Sequence, residues 1–454
     1  MVRRGLEYSS IARHIGYQSY QSKLRSDVMA AEIIIIVFVI TYIAISSEKV
    51  NRTATALLGM GVAGIVLWAT GEGTFSLIVD GIDWSTILFV ISMFVIVTIA
   101  ASSGMFQFLA LEITRPTQGQ TKKLFVSLLG FVFVISLFFD TVSTMLIMGP
   151  LTIELCKALD IDFRPFLISE AITCNFASIP SIVGAVPNLI IAEQANVDPG
   201  FLLVTLLPLS IILFVVSIPF LLRVFDEQLQ PSEEELVSQM LEIDSHYMIR
   251  SRRDFYMSIG AMLILVVGFI LGNSVVPPFQ PALIAITVAA ALLIVSREFV
   301  DDILKRVNWG TIFFLVGLFG LVAALEITGV IHEIGVGIGN LIGGDVLLGI
   351  VFMTWVPALL SAVIDNIPVS AVLAPIALQF AAVSPMLPVA LIFAVNVGGF
   401  LLPIGSPANI LALVFAEKER KPIRMKDFAK VATPLGFLML LIGMAWLLTL
   451  GVLM

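Results

Sequence analysis

Two acidic residues stand inside runs that otherwise carry no charge: Asp140 in "SLFFDTVSTM" and Asp365 in "LLSAVIDNIPVSAVLAP". A carboxylate in apolar surroundings is costly, and more so in lipid. Each acid could simply cap the helix that follows it, satisfying that helix's first N–H groups. A Ser or Thr would cap as well without a charge, so two acids at equivalent places favour a coupling role. A carboxylate half-desolvated at depth can take up and release protons near neutral pH, and it can equally offer oxygen to Na⁺. The neighbours of the acids are polar too: Thr141, Ser143 and Thr144 after the first, Asn366 after the second. If each tip starts a helix, its N–H groups carry partial positive charge and can hold an anion or a polar solute.

A second pair of polar interruptions is "GAVPN", Gly184 to Asn188, and "GSPAN", Gly405 to Asn409. Gly and Pro there end one half-helix and start another, which frees carbonyls, and Asn adds one carbonyl and two donors. Hard cations prefer such oxygens, which makes Asn188, Ser406 and Asn409 candidate ion or substrate ligands. The plainer reading is a Pro kink whose Asn satisfies broken backbone, but duplication beside the two acidic tips weighs against it. Asn175 and Asn396 sit one turn or more earlier in equivalent places and are secondary candidates. Glu170, in "LISEAITCN", has Leu391 at the equivalent place and so no acidic counterpart. A proton-relay acid and an interhelical hydrogen-bond partner both remain open for it.

Other motifs carry no chemistry. His332-Glu333 has no second His at helical spacing, and "GVGIGN" follows no strand, so neither zinc nor a nucleotide is implied. Cys156 and Cys174 lie in apolar segments and read as small core residues. No cofactor is expected beyond a transported or coupling Na⁺ or H⁺.

The elements that must position these residues are helices in a lipid bilayer. The chain of 454 residues is 59% hydrophobic and 13% charged, well below the roughly one quarter charged of soluble domains. Its mean hydropathy is +1.05. No basic, aromatic-laced patch suggests nucleic acid. Residues 1–28 form a polar tail without the apolar core of a signal peptide. Apolar segments approaching the roughly 20 residues that cross a bilayer fall at about 30–47, 53–70, 84–103, 164–196 and 200–222. A second series falls at 255–271, 277–296, 310–327, 386–417 and 428–452. Two stretches, 122–158 and 345–380, are broken mid-way by the acids and read as re-entrant hairpins.

The series is one unit written twice. "WSTILFV" at Trp84 matches "WGTIFFL" at Trp309, and Asp140 matches Asp365, each 225 residues apart. "NFASIPSIVGAVPNLI" matches "NVGGFLLPIGSPANIL" at an offset of 221. Such repetition of Asp, Pro, Gly and Asn within apolar helices is not a product of composition. With five crossings per half and the linker 223–254 in the cytoplasm, twenty of the 25 Lys and Arg residues face the cytoplasm. The outer loops hold none, and the five in the tail dissent. An odd number of crossings inverts the second copy relative to the first. The expected fold is an all-α polytopic membrane protein with two inverted repeats, 29–222 and 255–454, each of five transmembrane helices and a re-entrant hairpin.

"FFDTVSTMLIMGPLTIELCKALDIDFRPFLISEAI" with "GAVPNLII", and "LLSAVIDNIPVSAVLAP" with "PIGSPANILAL", resemble the ion-transporter superfamily. Within it the chain resembles the branch of arsenite permeases, NhaD-type sodium–proton antiporters and the melanosomal P protein, including citrate-transporter-like chains. The resemblance implies a site between hairpin tips and unwound helices. In the dicarboxylate branch, Ser-Asn-Thr occupies the tips; here the positions are Asp140-Thr141-Val142 and Asp365-Asn366-Ile367. Acids replace the leading Ser in both copies, which weakens a sodium–dicarboxylate reading, and Thr141 replaces Asn in the first copy. Relatives in that branch also suggest an elevator carrier and a homodimer. The expectation is a secondary active ion transporter, not an enzyme, in the plasma (inner) membrane. It would exchange cations for protons or export an arsenite-type oxyanion, with citrate-like carboxylate transport or a passive ion channel as alternatives.

Overall fold

The computed structural model describes residues 29–45, 50–230, 245–271, 280–296 and 300–453. The polar tail 1–28 and the linker stretch 231–244 lie outside them. The fold is all-α, and no strand occurs among the described residues. The first half runs α1 (Met29–Ile45), α2 (Arg52–Thr70), α3 (Phe75–Asp80), α4 (Trp84–Ser102) and α5 (Met105–Thr114). It continues with α6 (Thr121–Ile135), α7 (Thr141–Ala158), α8 (Arg164–Ala177), α9 (Val186–Gln194) and α10 (Pro199–Val224). The second half runs α11 (Arg252–Leu271), α12 (Pro281–Val295), α13 (Val300–Lys305), α14 (Trp309–Ile327) and α15 (Val330–Ile342). After these come α16 (Val346–Val363), α17 (Asn366–Ala381), α18 (Met386–Leu401), α19 (Pro407–Lys418) and α20 (Met425–Leu453). Each element of the first half thus has a counterpart ten places later.

The breaks fall where the residues demand them. Asp140 and Asp365 immediately precede α7 and α17. Pro187 and Pro407 sit in the first turns of α9 and α19, where a missing N–H is harmless. The stretches expected at 164–196 and 386–417 are therefore two helices each. Among the described residues six helices, α2, α4, α10, α14, α16 and α20, are long and apolar enough to cross a membrane, so the chain is a multi-pass integral membrane protein. One of them, α16, is the first arm of an expected hairpin. The hydropathy pattern assigns no helix at α3, α5, α13 or α15. These are too short to register at the bilayer length on which that pattern depends.

The chain divides into two compact units. In the unit made of residues up to Trp84 and Trp309 to Ile338, α2 packs along α14. A Cβ on Gly317 would stand 2.6 Å from the Ala56 carbonyl carbon, so that helix contact is backbone to backbone. The other unit, 85–308 with 339–454, holds both helix pairs and both broken helices. Its centre is α18, buried along its whole length, against α8, buried from Pro165 to Ala177.

Candidate functional site

The first acid caps its helix. Asp140 Oδ1 accepts from the Val142 and Ser143 N–H groups at 3.0 and 3.1 Å, and Oδ2 accepts from the Ser143 hydroxyl. Asp365 Oδ1 accepts from Ile367 N–H at 3.0 Å. The tips differ because Pro368 stands where Ser143 does, and it can donate neither from backbone nor from side chain. Thr141 and Asn366, the first residues of α7 and α17, are buried, as is Thr144, whose Oγ1 has no partner.

Each tip is pressed against the unwound loop of its own half. A Cβ on Gly184 would lie 2.4 Å from the Ser136 carbonyl oxygen, and one on Gly405 would lie 2.5 Å from that of Ser361. Ser136 and Ser361 are themselves 225 residues apart. Only glycine admits that approach, which explains its place at the start of both loops. Asp140 also borders a cavity of about 20 Å³ with Ala185 and Val186 of the loop, room for about one small occupant.

The two halves meet through four asparagines, all fully buried. Asn188 Nδ2 donates to the Ser178 and Ser181 carbonyls at 2.9 and 2.8 Å. Asn409 Nδ2 donates to the Gly399 and Leu402 carbonyls at 2.9 and 3.2 Å, the same positions displaced by 221. The loop amides therefore occupy some of the carbonyls that the breaks alone would leave free for a cation. The amide oxygens cross over between halves: Asn396 Nδ2 donates to Asn188 Oδ1 at 2.6 Å, and Asn175 Nδ2 to Asn409 Oδ1 at 3.2 Å. Asn175 and Asn396 also back-bond Ala171 and Ile392 carbonyls at 2.8 and 2.7 Å. The secondary candidates are thus as central as the primary ones.

The symmetry fails at one point. Ser178 Oγ, which bonds the Asn175 carbonyl at 2.8 Å, also reaches Asn396 Oδ1 at 3.4 Å. Its counterpart is Gly399, which has no hydroxyl, and Asn175 Oδ1 is left buried without a partner. Ser406 Oγ, in the loop whose Asn409 holds Asn175, is buried without a partner as well. Ser178 is not among the residues that sequence reasoning singles out, although its mismatch with glycine inside the aligned repeat is the available signal.

Glu170 stands apart from this network. Its Oε1 accepts from Thr152 Oγ1 of α7 at 2.6 Å, and its Oε2 has no partner. Among the described residues no group of three or more His, Cys, Asp or Glu is arranged to hold a metal ion. Cys156 and Cys174 are free thiols in the core.

Buried half-helices, broken helices and duplicated tips in a polytopic chain give the fold of a transporter. Solved structures agree: the YdaH transporter of Alcanivorax borkumensis matches with a TM-score of 0.51 at 13% identity, over 83% of this chain and 87% of that one. MtrF of Neisseria gonorrhoeae, described as one of a class of antimetabolite efflux pumps, matches with the same score and identity over 92% and 94%. The chain belongs to the citrate transporter family, whose sequence pattern matches residues 42–390. A 46 kDa membrane protein of Mycobacterium leprae is 31% identical over 404 residues, 88% of this chain and 94% of that protein. The P protein of Homo sapiens is 27% identical over 489 residues, covering 90% of this chain and 58% of the P protein. The protein is a membrane transporter of the branch indicated by its acidic and Pro-Asn motifs.

Proposed function

We propose that this transporter is a secondary active carrier working by alternating access, with the helix pairs α6–α7 and α16–α17 as re-entrant hairpins of two inverted repeats. Its solute moves against H⁺ or Na⁺, as cation–proton antiport or as export of a small oxyanion. Asp140 and Asp365 carry the coupling charge at the tips. The observation that supports this most is the orphaned Asn175 Oδ1, together with the orphaned Ser406 Oγ in the loop whose Asn409 accepts from Asn175. A buried carbonyl oxygen without a donor costs free energy unless something binds it. A coupling cation is the natural occupant, because Asn175 and Ser406 offer it oxygen. The mirrored place lacks this pair, since Ser178 serves Asn396 and Ala185 replaces Ser406.

The test uses the purified full chain in proteoliposomes with Na⁺, Li⁺, arsenite and citrate, reading internal pH. Saturable exchange with a coupled pH or Na⁺ response is expected; conductance without counter-transport would make the protein a channel. Asp140→Asn and Asp365→Asn should each uncouple ion movement from solute movement while keeping the thermal melt of the parent. Undiminished coupling in both variants removes the acids from the mechanism.

A further inference from the structure

A cavity of about 310 Å³ opens beside α7 within the larger unit, at the small end of the roughly 300–1,000 Å³ of ligand pockets. Its polar lining is Thr98, Ser102, Ser143, Asn308, Arg250 and Arg306, with no carboxylate. Ser143 is the residue whose hydroxyl and N–H both serve Asp140, so the cavity leads directly to the first tip. Every other polar group in it is cationic or a neutral donor.

Both arginines are placed by structure. Arg306 Nη1 donates to Ser102 Oγ at the end of α4, at 2.6 Å. Arg250 is delivered by the end of the linker, which is stitched to the same point: its N–H donates to the Ser103 carbonyl at 2.9 Å. Gly104 makes this contact possible, with φ of 84° and a hypothetical Cβ 1.8 Å from the Met248 carbonyl oxygen. Outside the cavity Arg306 lies near Asp302. Its carboxyl is held below the usual range by the Lys305 ammonium first, at 2.9 Å, and by Arg306 more weakly.

We propose that this cavity is an anion-selecting vestibule, through which the solute of the carrier passes Arg250 and Arg306 to reach or leave the Asp140 tip. This rests on the carrier reading above and narrows its solute to a small oxyanion or carboxylate. Two like charges lining one cavity concentrate anions and repel cations before any contact is made. The tip itself then need not hold a full cation for the anion, since the vestibule has already selected its charge.

The experiment places a reporter thiol in the cavity wall as Leu146→Cys in the full chain, whose own two cysteines are buried. Modification rates by an anionic and a cationic methanethiosulfonate reagent are compared in detergent and in proteoliposomes. The anionic reagent should react faster. The ratio should fall by about tenfold in each of Arg250→Gln and Arg306→Gln at low salt, with Arg306→Lys close to the parent. In transport, half-saturation for the anionic solute should rise in the same variants, with citrate and arsenate as separate arms that tell carboxylate from inorganic oxyanion. A ratio unmoved by both substitutions, a faster cationic reagent, or a thiol reached by neither would overturn the vestibule. Altered labelling with unaltered half-saturation for both anions would overturn its role in transport. Should neither anion nor cation be transported at all, the carrier reading falls while the reagent ratio still decides the vestibule.

Discussion

If Asn175 Oδ1 lacks a donor because Gly399 lacks a hydroxyl, then Gly399→Ser should supply one. The substitution is sterically feasible: a Cβ there meets Asn366 Nδ2 at 3.2 Å and the Gly405 carbonyl oxygen at 3.3 Å, so neighbours must yield by a few tenths of an ångström. The new hydroxyl would have the choices Ser178 has, a carbonyl three residues back and the opposite amide oxygen at the longer 3.4 Å. A shared bond of that length is worth less than a full one, about 0.5–1 kcal/mol. An ion that must displace it should bind about two- to fivefold more weakly. Gly399→Ala supplies the same crowding without the hydroxyl and is the control. The assay is half-saturation of transport in the coupling ion, Na⁺ or H⁺, in proteoliposomes. Equal ion dependence for the Ser and Ala variants would refute the link between the missing hydroxyl and the ion.

Gly184→Ala and Gly405→Ala should each lower the melting temperature in detergent, because the added carbon meets backbone on two sides: Ser136 O and Ser178 Cα in one case, Ser361 O and Gly399 O in the other. Overpacking against immobile backbone costs about 1–3 kcal/mol or more, whereas Gly337→Ala, with nothing within 4 Å, should leave the melt unchanged or raised; equal melts for all three would refute the close contact of loop and tip. At the start of α8, burial pushes the Asp162 carboxyl up, but the Arg164 side chain, bonded at 2.7 Å, its N–H and the charge of Lys421 outweigh it and hold the carboxyl below its usual range. A depressed folded-state pKa gives stability that is present above the unfolded value of about 3.9 and lost as pH falls through the folded value. Asp162→Asn should therefore lower the melt slightly at pH 6 and converge with the parent in acid; a constant difference down to pH 3 would rule this out.

Much of the architecture is legible because the costly residues are few and sit at breaks. An acid in an apolar run, or Gly and Pro inside one, marks a place where the helix ladder ends, and each does so here: α7 and α17 start just after the acids, and α9 and α19 have a proline in their first turn. The repeat is legible because those breaks recur at fixed offsets. What spacing does not carry is which polar group faces which. Asn188 and Asn409 have the chemistry of ligands, and their donors go to carbonyls that the breaks expose. Nothing in a one-dimensional spacing says that Asn175 turns to the loop of the other half. The linker carries no motif, yet its last residues place Arg250 on α4 through a glycine contact that hydropathy cannot register.

A duplicated chain is expected to contain duplicated sites, and the packing here argues otherwise. The backbone scaffold is repeated between halves almost bond for bond: loop glycine on tip carbonyl, loop asparagine on half-helix carbonyls, half-helix asparagine on the opposite loop. Those contacts hold the crossings together, and losing any of them would strand buried polar groups at about 1–3 kcal/mol each. The differences fall on side chains that the scaffold does not need: Ser143 against Pro368, Ser178 against Gly399, Ala185 against Ser406. Each swap moves one hydroxyl from one half to the other. At Asp140 it adds donors to the acid, and near Asn175 it removes one from an amide oxygen. The first tip is thereby suited to sit beside an anion path while keeping its own charge satisfied. Ser406 Oγ of the second loop and Asn175 Oδ1 of the first half stay unspent. One scaffold repeated twice in this way carries different hydroxyls in its two halves at these three positions.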